Sequence, residues 1–162
     1  MSFLRRHHSA DEAAAQAQEA ALETPAGLHQ RLSALVVLIN ASAGRLPVDS
    51  VVSALAVTDT LSEVIDAAGG DGLDVHALLS LQGILDDYLP TTLRAYLSLE
   101  PSVTDVPRPS GLTPKASLLE QIDALWLAAS DLLTATRAQD ADALLSQGNF
   151  LRTKFTRSDL DL

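Results

Sequence analysis

Cysteine is absent from this chain of 162 residues, which excludes disulfides, zinc–thiolate sites and thiol catalysis. A reducing, cytoplasmic setting is compatible with that composition and is the expected location. Aromatic residues are scarce at 4%, against 47% hydrophobic residues overall. The core must therefore be built from Leu, Val, Ile and Ala, and residues that favour strands are few and scattered. Long apolar runs are also missing. Runs such as Leu35 to Ile39 fall far below the roughly 20 residues that cross a bilayer. The basic start, Met1 to His8, runs into Asp11, Glu12 and Gln16 with no apolar core behind it, so no secretory leader is expected. Basic residues are missing from Leu46 to Leu93, an interval that holds Asp49, Asp59, Glu63, Asp66, Asp71, Asp74, Asp86 and Asp87. With a net charge of −10, such a surface repels nucleic acid and anionic lipid and attracts basic partners. The expected partner is another protein with a basic surface, with no nucleic acid and no direct membrane insertion.

What is present reads as helix. Residues 1–25 form an expected arm: Ser9 and Glu12 suit a capping box, and Ala13 to Leu22 has high helix propensity but no apolar stripe to bury. A first helix over Leu28 to Ala43 carries Leu28, Leu32, Leu35, Val36 and Ile39 at helical spacing. Val37 and Leu38 widen that stripe and predict a central position. A second helix, Val48 to Ala68, is expected to bury Val51, Val52, Leu55, Leu61, Val64, Ile65 and Ala68, and it ends at the tract Gly69 to Gly72. That tract lacks the alternating acids and terminal Glu of a calcium loop. Asp74 is a good cap for a third helix with Val75, Leu78, Leu79, Gln82, Leu85 and Leu89 on its stripe. Pro90 must either kink this helix or open a new one. The connector 101–114 is rich in Pro and long enough to cross a bundle end. Thr113 caps a fourth helix, Pro114 sits in its first turn, and Trp126 lies among its expected core residues. A break near Gln139–Asp140 predicts a last helix carrying Leu144, Leu145, Leu151 and Phe155, and the tail 158–162 is short.

Motifs of known chemistry are few. The four histidines show no i, i+4 metal pair. There is neither a Gly-x-Ser-x-Gly elbow nor a phosphate loop ending in Gly-Lys-Ser/Thr. Asp86 and Asp87 are adjacent, so on a helix they point about 100° apart and make no focused pair. No cofactor, metal site or catalytic residue is expected.

Rare residue types gather in one stretch. Both tyrosines, Tyr88 and Tyr96, flank Pro90, Thr91, Thr92 and Arg94. Aromatics and Arg are frequent binding hot spots, and Tyr88, Pro90, Thr91, Arg94 and Tyr96 are the candidate protein-binding residues. The segment Asp87-Tyr88-Leu89-Pro90-Thr91-Thr92-Leu93 resembles the XpaC-type family, bacterial proteins named for hydrolysis of a bromo-chloroindolyl phosphate. Members carry a Tyr-Leu-Pro-x-Thr segment followed by a Tyr and a Leu, here Tyr96 and Leu97. Leu118 to Gln121, Ile122 to Leu125 and Asp140 to Asp142 match the family's later order, so the likeness spans roughly residues 80–155. The hydrophobic N-terminal segments of the family are missing. The resemblance implies a bacterial helical protein tied to toxic-anion resistance partners or the cell envelope. It carries over no catalytic residue.

The expected architecture is all-α, an antiparallel bundle of four to six helices spanning 26–157. The expected function is a non-catalytic adaptor or scaffold. Two alternatives stand beside it. One is a metal-dependent, phosphatase-like hydrolase using Asp86, Asp87 and His76. The other is a structural helical protein that forms homo-oligomers through the apolar faces of its first and fourth helices.

Overall fold

The computed structural model describes residues 23–69 and 72–158, with side chains described as far as Asp142 and at Leu145. The arm over 1–22, residues 70–71, the tail 159–162, and the side chains of Leu144, Leu151 and Phe155 lie outside that description. The described residues are mostly helical, with no strand among them. The helices are α1 (Pro25–Ser42), α2 (Val48–Ala67), α3 (Val75–Gln82), α4 (Leu89–Leu97) and α5 (Pro114–Ser158). A π-turn, Gly83–Tyr88, joins α3 directly to α4, so these segments make one continuous third rod.

Caps fix where the rods begin. Thr24 Oγ1 accepts from the Gly27 N–H at 3.1 Å. Asp74 Oδ1 accepts from the His76 and Ala77 amides at 2.8 and 2.9 Å, which together with Gln139 holds its carboxyl below the usual value. Thr113 Oγ1 accepts from the Ala116 N–H at 3.1 Å. Each cap satisfies amides that have no partner within the helix. Gly69 and Gly72 take positive φ of 61° and 74°, the left-handed backbone that a side chain disfavours.

Four rods pack around one core. α1 runs alongside α2 and the third rod, and α5 packs on α2 and the third rod. The polar ties set directions: Arg31 meets Asp86 and Arg45 donates to the Leu97 carbonyl, so α1 and the third rod are parallel. Thr92 meets Gln121 and Asp74 meets Gln139, so α5 returns antiparallel to that rod. Short connections over 44–47 and 69–73 predict antiparallel neighbours; the first joins α1 to its neighbour α2, and the second does not join neighbours. That short connection leads from α2 to the rod diagonally opposite, whereas the long 98–113 segment links rods that touch. The long segment is folded on itself, with a 3-10 turn over Pro101–Val103 and the Arg108 N–H bonded to the Leu112 carbonyl.

The seams differ from the hydrophobic stripes in the sequence. α1 buries Leu28, Leu32, Leu35 and Ile39, but Val37 is 66% exposed, so α1 is peripheral rather than central. α2 buries Ser50, Ala54, Val57, Thr58 and Leu61 and leaves Val52 outside. Small side chains on that seam let α2 approach α5 closely. On the third rod Ala77, Leu81, Ile84, Leu85, Leu89 and Leu93 are buried, whereas Val75 and Leu79 face water. On α5 the seam is Leu118, Ile122, Ala129 and Thr136, which turns Trp126 outward at 43% exposure. The expected break at Gln139–Asp140 does not occur, because the stretch around it has neither Gly nor Pro and good helix formers carry α5 through.

Pro90 stands in the first turn of α4, directly after the π-turn, and the rod runs on through it. The Leu89 N–H bonds to the Ile84 carbonyl, five residues back. Leu81, Leu85, Leu89 and Leu93 recur every four residues and all are buried. On a pure α-helix each such step drifts about 40°, so the ladder would spread over about 120°, as wide as the buried arc of α2. The extra residue in a π-turn resets the phase by roughly one residue, about 100°, and keeps the ladder on one side.

Leu89→Ala is expected to cost about 2–5 kcal/mol, the range for a buried leucine. Leu79→Ala, at a site 61% exposed, is expected to change stability by less than about 0.5 kcal/mol. Urea denaturation of the two variants checks the seam.

Candidate functional site

The π-turn and α4 form the stretch in which the rare residues gather. A π-turn stacks residues five apart, as an α-helix stacks residues four apart. Gly83 and Tyr88 are that pair: a Cβ on Gly83 would stand 3.1 Å from Tyr88 Cε2. The tyrosine ring therefore lies on the glycine and points outward at 57% exposure. Beside it Thr91 Oγ1 donates to Asp87 Oδ1 at 3.2 Å.

The other candidate residues face elsewhere. Pro90 and Arg94 line a groove of about 300 Å³ against α1, floored by Ala34, Leu35, Leu38 and Leu85 and edged by the Arg31–Asp86 pair. That pair is close at 2.5 Å between Nη2 and Oδ2. Burial raises the Asp86 carboxyl above its ordinary value, outweighing the opposing charge and hydrogen bond of Arg31. Tyr96 is half-buried on the opposite flank. It lines a cavity of about 240 Å³ with Thr92, Leu99, Pro114, Leu118 and Gln121, and a second of about 230 Å³ with Arg45, Pro101 and Thr104.

The five candidate residues thus form three groups around one rod: Tyr88 with Thr91 outward, Pro90 with Arg94 toward α1, and Tyr96 toward α5. Steps of about 100° per residue impose that division. Gly83 and Arg31 escaped the sequence reading. The five-residue spacing from Gly83 to Tyr88 was the signal for the first, and no local signal marks the second.

The residues named for hydrolysis do not converge. Asp86 is held by Arg31, Asp87 by Thr91, and His76 lies in the first turn of α3, where its backbone N–H serves the Asp74 cap. Among the described residues no three His, Asp or Glu side chains are grouped to hold a metal ion. No helix among them is long and apolar enough to cross a membrane.

Acidic side chains dominate the outward faces. Asp49, Asp59, Glu63 and Asp66 are exposed on α2, and Asp86 and Asp87 on the π-turn. Two of these are partly offset, Asp86 by Arg31 at 2.5 Å and Glu63 by Arg137 at 2.7 Å, and His29 Nε2 hydrogen-bonds to Asp66 at 3.0 Å. No family model, curated protein or solved structure matches the chain.

The Asp86 shift has a sign that can be tested. A carboxyl raised in the folded state contributes its stability fully below the unfolded value, and that contribution is lost as pH rises through the raised one. Relative to Asp86→Asn, the protein is expected to lose stability as pH rises from about 3 to about 6. Urea midpoints of both chains across that range read the slope, which is shallow because Asp86 is half in water.

Proposed function

We infer that this protein is a non-catalytic adaptor or scaffold that binds another protein through the outward side of the π-turn. The observation that carries the reading is the Tyr88 ring, packed against Gly83 and exposed next to Asp87. An aromatic ring laid on a rigid turn contributes contact area with little ordering entropy. The ring face and the neighbouring carboxylate both favour a cation, so the fitting partner presents Lys or Arg. The exposed acids of α2 extend that preference over a wider surface and steer a basic partner inward. Arg94, six residues on and turned toward α1 at the rim of the groove, supplies one contact of opposite sign. Cytoplasmic location and a bacterial role in toxic-anion stress or the cell envelope belong to the same proposal. They rest on the composition and on the Tyr-Leu-Pro-Thr-Thr resemblance.

Affinity capture from native extract at low and high salt identifies the partner, and titration then tests the site. Tyr88→Ala with Arg94→Ala is expected to weaken binding by about 30-fold or more, the loss of a hot spot worth about 2 kcal/mol. The thermal midpoint is expected to hold, since both side chains are exposed. Full affinity in the folded double variant contradicts the site, and affinity insensitive to salt contradicts the basic partner.

A further inference from the structure

α2 and α5 run side by side in the same direction, since α2 is antiparallel to α1 and α5 is antiparallel to the third rod. Arg137 of α5 meets Glu63 of α2, and Thr136 shares a cavity wall with Ala67 and Ala68. Counted back along both helices, these ties set Trp126 opposite residues 52–58 of α2. Trp126 is the one tryptophan of the chain, and it is 43% exposed. Val52 and Leu127, on either side, are 63% and 57% exposed. The facing edge of α2 carries the small residues Ser53 and Ala56, which keep the groove between the helices open. A large ring left in water among other apolar side chains marks a surface that binds.

The charge around this strip has one sign. Asp49 and Asp59 on α2 and Asp123 and Asp131 on α5 are exposed, and none of the four is in an ion pair among the described residues. α2 has no Lys or Arg. Arg45, ahead of α2, is drawn away to the Leu97 carbonyl. On α5 the flanking cations are Lys115 and Arg137, each three turns from Trp126, about 16 Å along the axis. That is beyond the Debye length of about 8 Å, and Arg137 is taken up by Glu63.

We propose that the α2–α5 groove at Trp126 docks a basic amphipathic helix of a partner protein. The apolar side of that helix covers Val52, Trp126 and Leu127, and its Lys or Arg residues reach the acids on both rims. A groove between two parallel helices takes a third along its length, read by anchors three and four residues apart. A cation beside the indole gains from the ring face as well. A second copy of this chain is the poorer occupant, because the same acids would oppose one another across the contact. The surface lies on α2 and α5, away from the Tyr88 side of the third rod, and stands independently of the Tyr88 reading. With both surfaces the protein has two places to hold partners.

The lone tryptophan is its own reporter in the full chain. The probe is a peptide of about five helical turns, made of Leu and Lys with Leu at helical spacing and no tryptophan. Its binding is expected to move the Trp126 emission to shorter wavelength and to shield the ring from acrylamide. Val52→Ser with Leu127→Ser is expected to weaken binding about tenfold or more, through the loss of two covered apolar side chains. Asp123→Asn with Asp131→Asn is expected to weaken it about threefold and to flatten its salt dependence. All four positions are exposed, so the thermal midpoints are expected to hold, and Tyr88→Ala is expected to leave peptide binding unchanged. Unchanged Trp126 emission overturns the proposal. So does equal binding of a Leu/Glu peptide of the same pattern or of the Leu/Lys peptide in scrambled order, and so does full affinity in Val52→Ser with Leu127→Ser. Emission that shifts with protein concentration alone overturns it in favour of a second copy. A ring already closed to acrylamide in the chain without peptide overturns it in favour of a segment of the chain itself.

Discussion

The rest of the structure depends on the phase of one leucine ladder. Leu81, Leu85, Leu89 and Leu93 are each almost fully buried, and on a straight α-helix their four-residue spacing would spread them over about 120°. One π-turn narrows that spread. It sets Ile84 and Leu85 at the core within the turn and Leu89 and Leu93 after it. It widens the backbone directly ahead of Pro90, where an α-helix would meet a ring clash and a missing donor. It also creates the five-residue stack on which Tyr88 lies. The exposed ring and the buried proline are consequences of the same inserted residue.

Charge has a secondary role in the fold. The pairs Arg31–Asp86, Arg137–Glu63 and His29–Asp66 tie neighbouring rods at their rims, where such contacts contribute about 0–1 kcal/mol each. They select the register of rods already held by leucine burial. The acids left over give the surface its sign. The division of labour is clear on α2: its inward seam is small and apolar enough to approach α5, and its outward side carries Asp59, Glu63 and Asp66.

Helical class, the capping residues Asp74 and Thr113, and most helix starts were legible in the sequence, because caps and breakers act within a few residues of themselves. Which side of each helix faces inward was less legible. Val37, Val52, Leu79 and Trp126 are hydrophobic yet lie outside, and Ser50 and Thr58 lie inside, because the spacing between rods rewards small side chains where backbones come close. The diagonal path from α2 to the third rod was hidden for a similar reason: loop length bounds how far the chain can travel but does not name the neighbour. The clustering of rare residues near Pro90 was visible. Its division over three sides of the rod was not, since that depends on a helical phase the leucine spacing only hinted at.

The most direct test of this account is the structure of the Pro90→Ala variant, with the hydrogen bonds of its third rod read from coordinates or from scalar couplings across them. If the leucine phase sets the turn, the Leu89 N–H still bonds to the Ile84 carbonyl, and Leu89 and Leu93 stay buried without the proline. A collapse to a continuous α-helix, with the Leu89 N–H moved to Leu85 and the ladder rotated out of the core, would show that the proline alone imposed the turn.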